Sequence, residues 1–596
     1  MIEKCIEKHL GSTCSFHFQV LKKLAEEEKP LKVYFSMGMD SCGNHRSYNG
    51  KSTFHNGEYL DSKSIMYGGL AMTEIRTEDG LNSKCVYKVP NCASFDAERP
   101  LFVYNGDEKY EHMKEIMDII DSEAPEAQKK EYSIDLDEDT QLKLKVKLDL
   151  VQLDGKLEKI IQGRGGAHCL LCSIPKECMT NLKLVDEGFP MDMGIKDLWE
   201  HFLLIADELK TSEEGKAEYF VDAKIIPTQV RGGITKAPLV ENLEVGHFIP
   251  PLHCMLRFMA FFLEMAVRFK AGNMRHGKVE EKVHEDMKKA KKILREQARA
   301  ALKRGYLTPT QYGGTTDDGN AARLFFSAKA RPHVLKFFET HEDFNVPELD
   351  DSEVASDSED EPNSGISSAQ REILPTLLQN VSVILRIIRS DKEVNTEEFE
   401  KLCKDTNKIL INHFSDFNIT PTVHAVLAHA PDLVRRNWNR GLFNFSEEGS
   451  EASHKVVRWL REHGARKMTL EANFFDTFRK MFFISDPTIR SMRRKLKCTN
   501  CEGTGHTIRS CPDKIIDKDK SPDDILFESL THDGNRNFEK EEDDPDDDLL
   551  DTIMEGDETE EMEHETTITE HGDESQDMEG GSEAESSSNE IFFKSN

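Results

Sequence analysis

Apolar and polar positions alternate most cleanly over Gln141–Leu153 (QLKLKVKLDLVQL), where residues 142, 144, 146 and 148 are apolar. A period of two sends alternate side chains to opposite faces, which predicts a strand with one face on a core. Leu31–Asp40 (LKVYFSMGMD), Ser64–Arg76 (SIMYGGLAMTEIR) and Cys85–Pro90 (CVYKVP) predict three further strands, with Gly- and Asn-rich turns between them. Pro100–Asn105 (PLFVYN) is a shorter apolar run, followed by Gly106-Asp107-Glu108 and a helical pattern through about Ile120. Residues 1–30 form an amphipathic, mixed-charge segment.

From Ile161 to about Phe338 the pattern turns largely helical, with Trp199–Leu209 and Pro251–Phe269 as buried or half-buried helices. Val279–Arg304 places apolar residues at 279, 283, 287, 290 and 294 and surrounds them with lysines and arginines. Two readings of that helix stand side by side, a solvated face and a contact with nucleic-acid phosphates. Residues 345–368 are acidic, Ser-rich and without periodicity, as expected of a disordered loop. Helices resume from about Ala369 to Thr406.

Charge changes this picture once it is located. The chain of 596 residues has a formal net charge of −32. Residues 513–596 hold 31 acidic and 6 basic residues, and 348–361 hold eight acidic and no basic ones. The acidity therefore belongs to two appended segments, and the remaining body, near neutrality, is free to carry basic faces. The tail from 513 has the composition of a disordered acidic segment. No apolar run is long enough to span a bilayer; Met255–Val267 comes closest and is interrupted by Arg257 and Glu264. Thirteen cysteines, five of them in metal-like spacings, fit thiols kept reduced as ligands, in an intracellular and nuclear setting.

The sharpest local motif is Cys498-x2-Cys501-x4-His506-x4-Cys511, a zinc-knuckle spacing preceded by basic Arg490–Lys497. Three thiolates and one imidazole complete a tetrahedral shell, and Gly503 and Gly505 allow the turn around the ion. Such a closed site grips single-stranded nucleic acid and does not cut it. Cys169-x2-Cys172 is a second thiol pair, and His424 and His429 lie five apart far downstream. Together they make a second Cys2His2 zinc shell that would clasp the two ends of a long helical insertion. Cys178 and His168 are alternative ligands nearby. Phosphodiester cleavage by two divalent ions needs clustered carboxylates, because hard oxygen ligands suit Mg2+ or Mn2+. Asp40 at the end of the first strand, Asp107 after the short apolar run and Glu451 in a later helix are the expected set. Glu447 and Glu448 compete with Glu451, and Asp135, Asp137 and Asp139 with Asp107.

Strands in this order, with acids at the ends of the first and fourth and a third acid on a later helix, match an RNase H-like fold. Several motifs in one order extend the match: MDSCGN around Asp40, LFVYNGDEKYEHMKEI around Asp107, AHCLLC, VHAVLAHAPDLV and SEEGSEASHKVVRWLR. PPLHCMLRF and GNAARLF fall between them. In this collinear set the chain resembles the catalytic core of the RAG recombinase and its relatives, the RAG-like and Transib transposases, from about Leu31 to Arg466. The resemblance implies a DDE-type enzyme that nicks DNA beside a terminal repeat, forms a hairpin with the new 3′-hydroxyl and transfers strands. It implies Asp40, Asp107 and Glu451 as Mg2+ or Mn2+ ligands, with Cys169, Cys172, His424 and His429 as zinc ligands. A homodimer on DNA with terminal inverted repeats, and a kelch-type accessory subunit, would be the partners. The family's amino-terminal DNA-recognition region does not precede Asp40, so the sequence reads as amino-terminally truncated.

The expected architecture is α+β. An amino-terminal helical segment (1–30) leads into an RNase H-like mixed-sheet core (31–160), interrupted by a helical zinc-binding insertion (161–440) that holds the acidic loop. A catalytic helix region (441–489), a basic segment with the CCHC knuckle (490–512) and the acidic tail (513–596) follow. The competing expectation is a domesticated, catalytically inactive zinc-dependent nucleic-acid-binding protein.

Overall fold

The computed structural model describes residues 2–11, 15–42, 64–78, 83–89, 92–95, 97–165, 168–189, 191, 234–245, 248–271, 319–339, 367–415, 417, 419–492 and 521–532. It is a mixed α/β protein. Two amphipathic helices, α1 (Ile2–Gly11) and α2 (Ser15–Glu26), precede β1 (Leu31–Cys42), β2 (Ile65–Thr77), β3 (Cys85–Lys88) and β4 (Glu98–Asn105). Helix α3 (Tyr110–Lys129), β5 (Tyr132–Asp135), β6 (Gln141–Leu153) and α4 (Gly155–Ile161) complete the first part of the core.

The sheet runs β3-β2-β1-β6-β5, with β1 antiparallel to β2 and parallel to β6. All thirteen residues of β2 are buried, and β6 alternates along its first half before both its faces are covered. That is the expected change as a strand passes from a solvated edge into a layer with helices on both sides. One face packs against α1–α4 around Val33, Phe35, Met113, Ile116 and Leu157.

The five expected strands are present, joined by β5, which was not expected. The Pro100–Asn105 run does not lie beside β1. It forms β4, which pairs antiparallel with Ile65–Ala71 of β2, while β3 takes Glu74–Arg76 further along the same edge. β3 and β4 are thus two pieces of one broken edge. The strand parallel to β1 is β6, in register from Leu31↔Leu144 to Met39↔Leu153.

After α4 the chain leaves the sheet through α5 (Leu182–Glu187) and returns at β7 (Glu244–Val245), which adds to β6. The helical body follows: α6 (Pro251–Ala271), α7 (Gly319–Phe325), α8 (Arg331–Glu339), α9 (Ser368–Ile388), β8 (Glu393–Val394), α10 (Thr396–His413) and α11 (Pro421–Arg436). Its core holds Phe258, Phe262, Leu377, Val381, Phe399 and Val426, all fully buried. Helix α9 opens on a capping box between Ser367 and Gln370, which satisfies two otherwise unpaired amides. Among the described residues no helix is long and apolar enough to cross a membrane.

The chain then crosses to the other sheet face with α12 (Glu448–Trp459) and α13 (Leu470–Ile484), and α14 (Pro487–Met492) ends beside α1. Val456, Val457, Leu460, Phe474 and Met481 pack there on Ile65, Tyr67 and Val103. Small residues bring α12 close. A Cβ on Gly38 of β1 would stand 2.9 Å from Ser450 Oγ, and one on Gly449 would stand 2.6 Å from the Ala93 carbonyl oxygen.

Residues 521–532, inside the stretch expected to be a disordered tail, form α15 (Pro522–Leu530) and β9 (Thr531–His532). Phe527 and Leu530 enter the core of the helical body, β9 pairs with β8, and Asp524 binds Arg386 at 2.6 Å. Leu526, Phe527 and Leu530, three of its four apolar residues, are enough to dock a helix that carries an acidic average. The expected helices at Trp199–Leu209 and Val279–Arg304, the loop at 345–366, the knuckle Cys498, Cys501, His506 and Cys511, and residues 533–596 lie outside the described residues.

Candidate functional site

Asp40 is placed by β1 at the carboxyl end of the sheet, where Ser41 donates its amide to Asp40 Oδ1 at 2.7 Å. Its side chain is 16% exposed. The parallel pairing of Met39 with Leu153 makes Asp154, the next residue after β6, the neighbour of Asp40 across the two strands. Asp154 also caps α4, accepting from the amides of Lys156 at 3.0 Å and Leu157 at 2.7 Å. One Asp thereby ends a strand, starts a helix and faces a second carboxylate.

Burial pushes the Asp40 carboxyl up to about 8, and the negative charges of Asp154 and Glu108 push in the same direction, against His253. Glu451, one turn into α12, is likewise raised, first by burial and then by Asp40 and Glu447. Asp154 thus acts on Asp40, and Asp40 on Glu451, as a neighbouring negative charge, and carboxylates are the hard oxygen donors that divalent cations take.

Asp107 stands apart from this set. It follows β4, two strands from β1, and its carboxylate lies 3.1 Å from Lys109 Nζ and 3.0 Å from His112 Nδ1. Partial burial works against its charge, but the Lys109 hydrogen bond and charge and His112 hold its carboxyl below the usual range. The adjacent Glu108 does reach the site, bound by Ser41 Oγ and, at 2.6 Å, by Lys156 Nζ. Asp135, Asp137 and Asp139 lie around the outer β5–β6 turn, where Asp137 pairs with Lys22 at 2.6 Å. The sequence signal for Asp154 was its place directly after the strand with the clearest alternation.

Of the three glutamates at the start of α12, Glu451 faces the aspartates and the other two are engaged. Glu447 is 3% exposed and accepts from the His253 amide at 2.7 Å and from His253 Nδ1 at 2.8 Å. Burial opposes a charge on His253, yet the bond to Glu447 and the charges of Glu447 and Glu451 lift its ring to about 9. Its Nε2 is 3.9 Å from Glu451 Oε1. Glu448 accepts from Arg389 and from Arg323, each at 2.7 Å.

A separate cluster joins the two ends of the insertion. Ligand atoms of Cys169, Cys172, His424 and His429 all lie within 4.8 Å of one another, and three of the four residues are buried. Cys172 Sγ is 3.4 Å from His424 Nε2, and the Leu171 amide points to Cys169 Sγ at 3.4 Å. Tetrahedral zinc, with bonds of about 2.3 Å to sulfur and about 2.0–2.1 Å to nitrogen, needs ligand separations of this size. The Cys172 contact, and after it His424 and His429, hold the Cys169 thiol well below its usual range against its burial. The cluster can therefore hold a metal such as zinc. His424 lies in the first turn of α11, and the edge of Phe189 packs on its ring at 4.6 Å between centroids. His168 and Cys178, the alternative ligands, are outside the quartet. Among the described residues this is the one group of three or more such side chains that closes to 4.8 Å; the carboxylates converge more loosely.

Compared with known proteins, the chain matches no protein-family model and no curated protein sequence.

Proposed function

We propose that this chain is a divalent-metal-dependent DNA nuclease and strand transferase of the DDE type, with an RNase H-like core and Asp40, Asp154 and Glu451 as its acids. The observation that carries the reading is the parallel pairing of β1 and β6, which sets Asp154 beside Asp40, together with the nearness of the Asp40 charge to Glu451 of α12. Asp154 takes the place expected of Asp107, because it follows the strand parallel to β1.

Mg2+ or Mn2+, when bound, would stabilise charge on the attacking and leaving oxygens of a phosphodiester displacement. The chain's residues supply the rest. Asp40 and Asp154 present oxygens from two neighbouring strands whose backbone spacing is set by pairing, and α12 swings Glu451 over them. The imidazolium of His253 lies beside Glu451 and offsets the crowding of negative charge. Cys169 and Cys172, just past the first acids, and His424 and His429 of α11, just before the third, would hold a zinc that ties the two ends of the insertion together.

The wider reading includes DNA with terminal inverted repeats as substrate, a homodimer with a kelch-type accessory subunit, a nuclear location and a second zinc at Cys498, Cys501, His506 and Cys511. It rests on the resemblance to RAG and Transib recombinases and on the knuckle spacing. Nicking of supercoiled plasmid with Mg2+ or Mn2+ tests the core of it. Asp40→Asn, Asp154→Asn and Glu451→Gln should each abolish nicking with the fold intact, while Asp107→Asn retains it. Loss with Asp107→Asn and retention with Asp154→Asn would overturn the assignment. A folded, zinc-loaded wild type that binds nucleic acid without cutting it would favour a non-enzymatic binding protein.

A further inference from the structure

The first turn of α12 is gripped by the insertion through a residue that the chemistry above does not use. Glu448 Oε1 accepts from Arg389 Nη2 at 2.7 Å and Nε at 3.2 Å, and Oε2 accepts from Arg323 Nη2 at 2.7 Å. Both arginines sit at the carboxyl ends of insertion helices, Arg323 in the last turn of α7 and Arg389 as the residue that ends α9. Glu448 opens α12 at its amino end. Each charge thus lies at the helix end whose dipole favours it. The adjacent Glu447 is bound by His253 of α6, so three insertion helices converge on two consecutive residues.

Ser450 ties that turn to Glu98 of β4, but its amino end lacks a cap of its own. Its N-cap residue Glu447 provides no side-chain cap, and the Glu448 amide has only a 3.4 Å contact from Ser446 Oγ. A helix end without strong capping frays. Glu451 is three residues on, so its carboxylate moves with the turn.

We propose that Glu448, clamped between Arg323 and Arg389, is the positioning residue through which the helical insertion sets Glu451 against Asp40. The inference rests on the three-carboxylate reading. It makes the insertion a part of the acid site: Asp40 and Asp154 are fixed by strand pairing, whereas Glu451 is fixed by an ion-pair clamp to another layer of the molecule. Two arginines satisfy both oxygens of one carboxylate in a partly buried setting, where planar guanidinium groups give direction as well as charge.

The test uses the full-length, zinc-loaded chain and Mn2+ as probe, titrated by electron paramagnetic resonance. The Mn2+ binding lost in Asp40→Asn defines the acid site. Glu448→Gln and Arg389→Met should weaken that binding by about tenfold or more, as removal of groups that orient metal ligands does. Zinc content should stay at the wild-type level, and Arg389→Lys should recover part of the affinity. If Arg389→Met fails to fold, Glu448→Gln and Arg389→Lys carry the comparison, since both keep the volume of the site. Mn2+ affinity unchanged in the folded variants would overturn the clamp while leaving the carboxylate reading in place. A wild type without any Asp40-dependent Mn2+ site would overturn both. A purely structural role would lower the unfolding temperature and leave Mn2+ affinity as it is, which also counts against the proposal.

Discussion

Glu98 of β4 shows how single side chains hold the sheet to the helix that bears Glu451. Its carboxylate is 1% exposed and accepts from Ser450 Oγ at 2.8 Å and Ser453 Oγ at 3.1 Å. Burial lifts its carboxyl from 4.5 to about 7, against those two bonds and with the charge of Asp40. The folded protein therefore binds a proton here that the unfolded chain releases, so this group's stabilisation is fully present below pH 4.5 and is lost as the pH rises through about 7. Glu98→Gln should flatten the fall in unfolding free energy across that window, measured by urea titration on the metal-free protein; an unchanged slope would remove Glu98 as its source. None of this was visible in the sequence, where Glu98 is one acid in a stretch of irregular pattern. Asp154 was nearer to view, as an Asp-Gly step after the clearest strand. Asp107 was the more conspicuous because Glu108 and a helix follow it, and Glu108 does reach Asp40. The two candidates differ only in which strand precedes them, and that is a matter of pairing.

Helices and strands were legible wherever one face is apolar and the other polar. β1, β3, β6 and the helices α6, α9 and α10 follow the patterns read from the sequence, and β2 follows as an apolar run buried on both faces. β5 was missed because four residues with two outward-facing positions give little pattern. Among motifs, Cys169-x2-Cys172 and His424 with His429 could be paired across 252 positions because four soft ligands make one shell. What joins them is an element-level device, since the quartet links α11 to the loop before α5. Cys169→Ser should lower zinc content by one equivalent per chain and lower the unfolding temperature, read by metal analysis and by circular dichroism. Normal zinc content in that variant would show that the quartet is not the ligand set. The docked α15 makes a second test. Phe527→Ala removes a buried aromatic and should cost about 3–5 kcal/mol, measured by urea titration. A loss under about 1 kcal/mol would mean that the helix adds little to the core.

Across the whole molecule, the acidic average conceals a division of labour. The segment that carries α15 and β9 belongs to the helical body, so truncation after residue 497 would remove structure together with the knuckle. The knuckle is better tested by Cys498→Ser with Cys501→Ser in the full chain. That variant should bind single-stranded DNA more weakly, with a shallower salt dependence, in a fluorescence anisotropy titration, if the Cys-His segment grips nucleic acid. The chain's own letters settled what depends on neighbours along it: the strand and helix periods, the acidic segments, and the thiol and imidazole spacings of a metal shell. Folding decided what depends on residues far apart. β6, not β4, came to lie beside β1, because an edge broken into β3 and β4 fills the far side of β2 and leaves the parallel position open. That pairing brought Asp154 to Asp40 and left Asp107 with Lys109 and His112. It also turned Glu447 and Glu448 toward His253, Arg323 and Arg389, leaving Glu451 to face the aspartates. Periodicity assigns a residue to a face, but hydrogen bonds between distant strands and the packing of helix on sheet choose which faces meet.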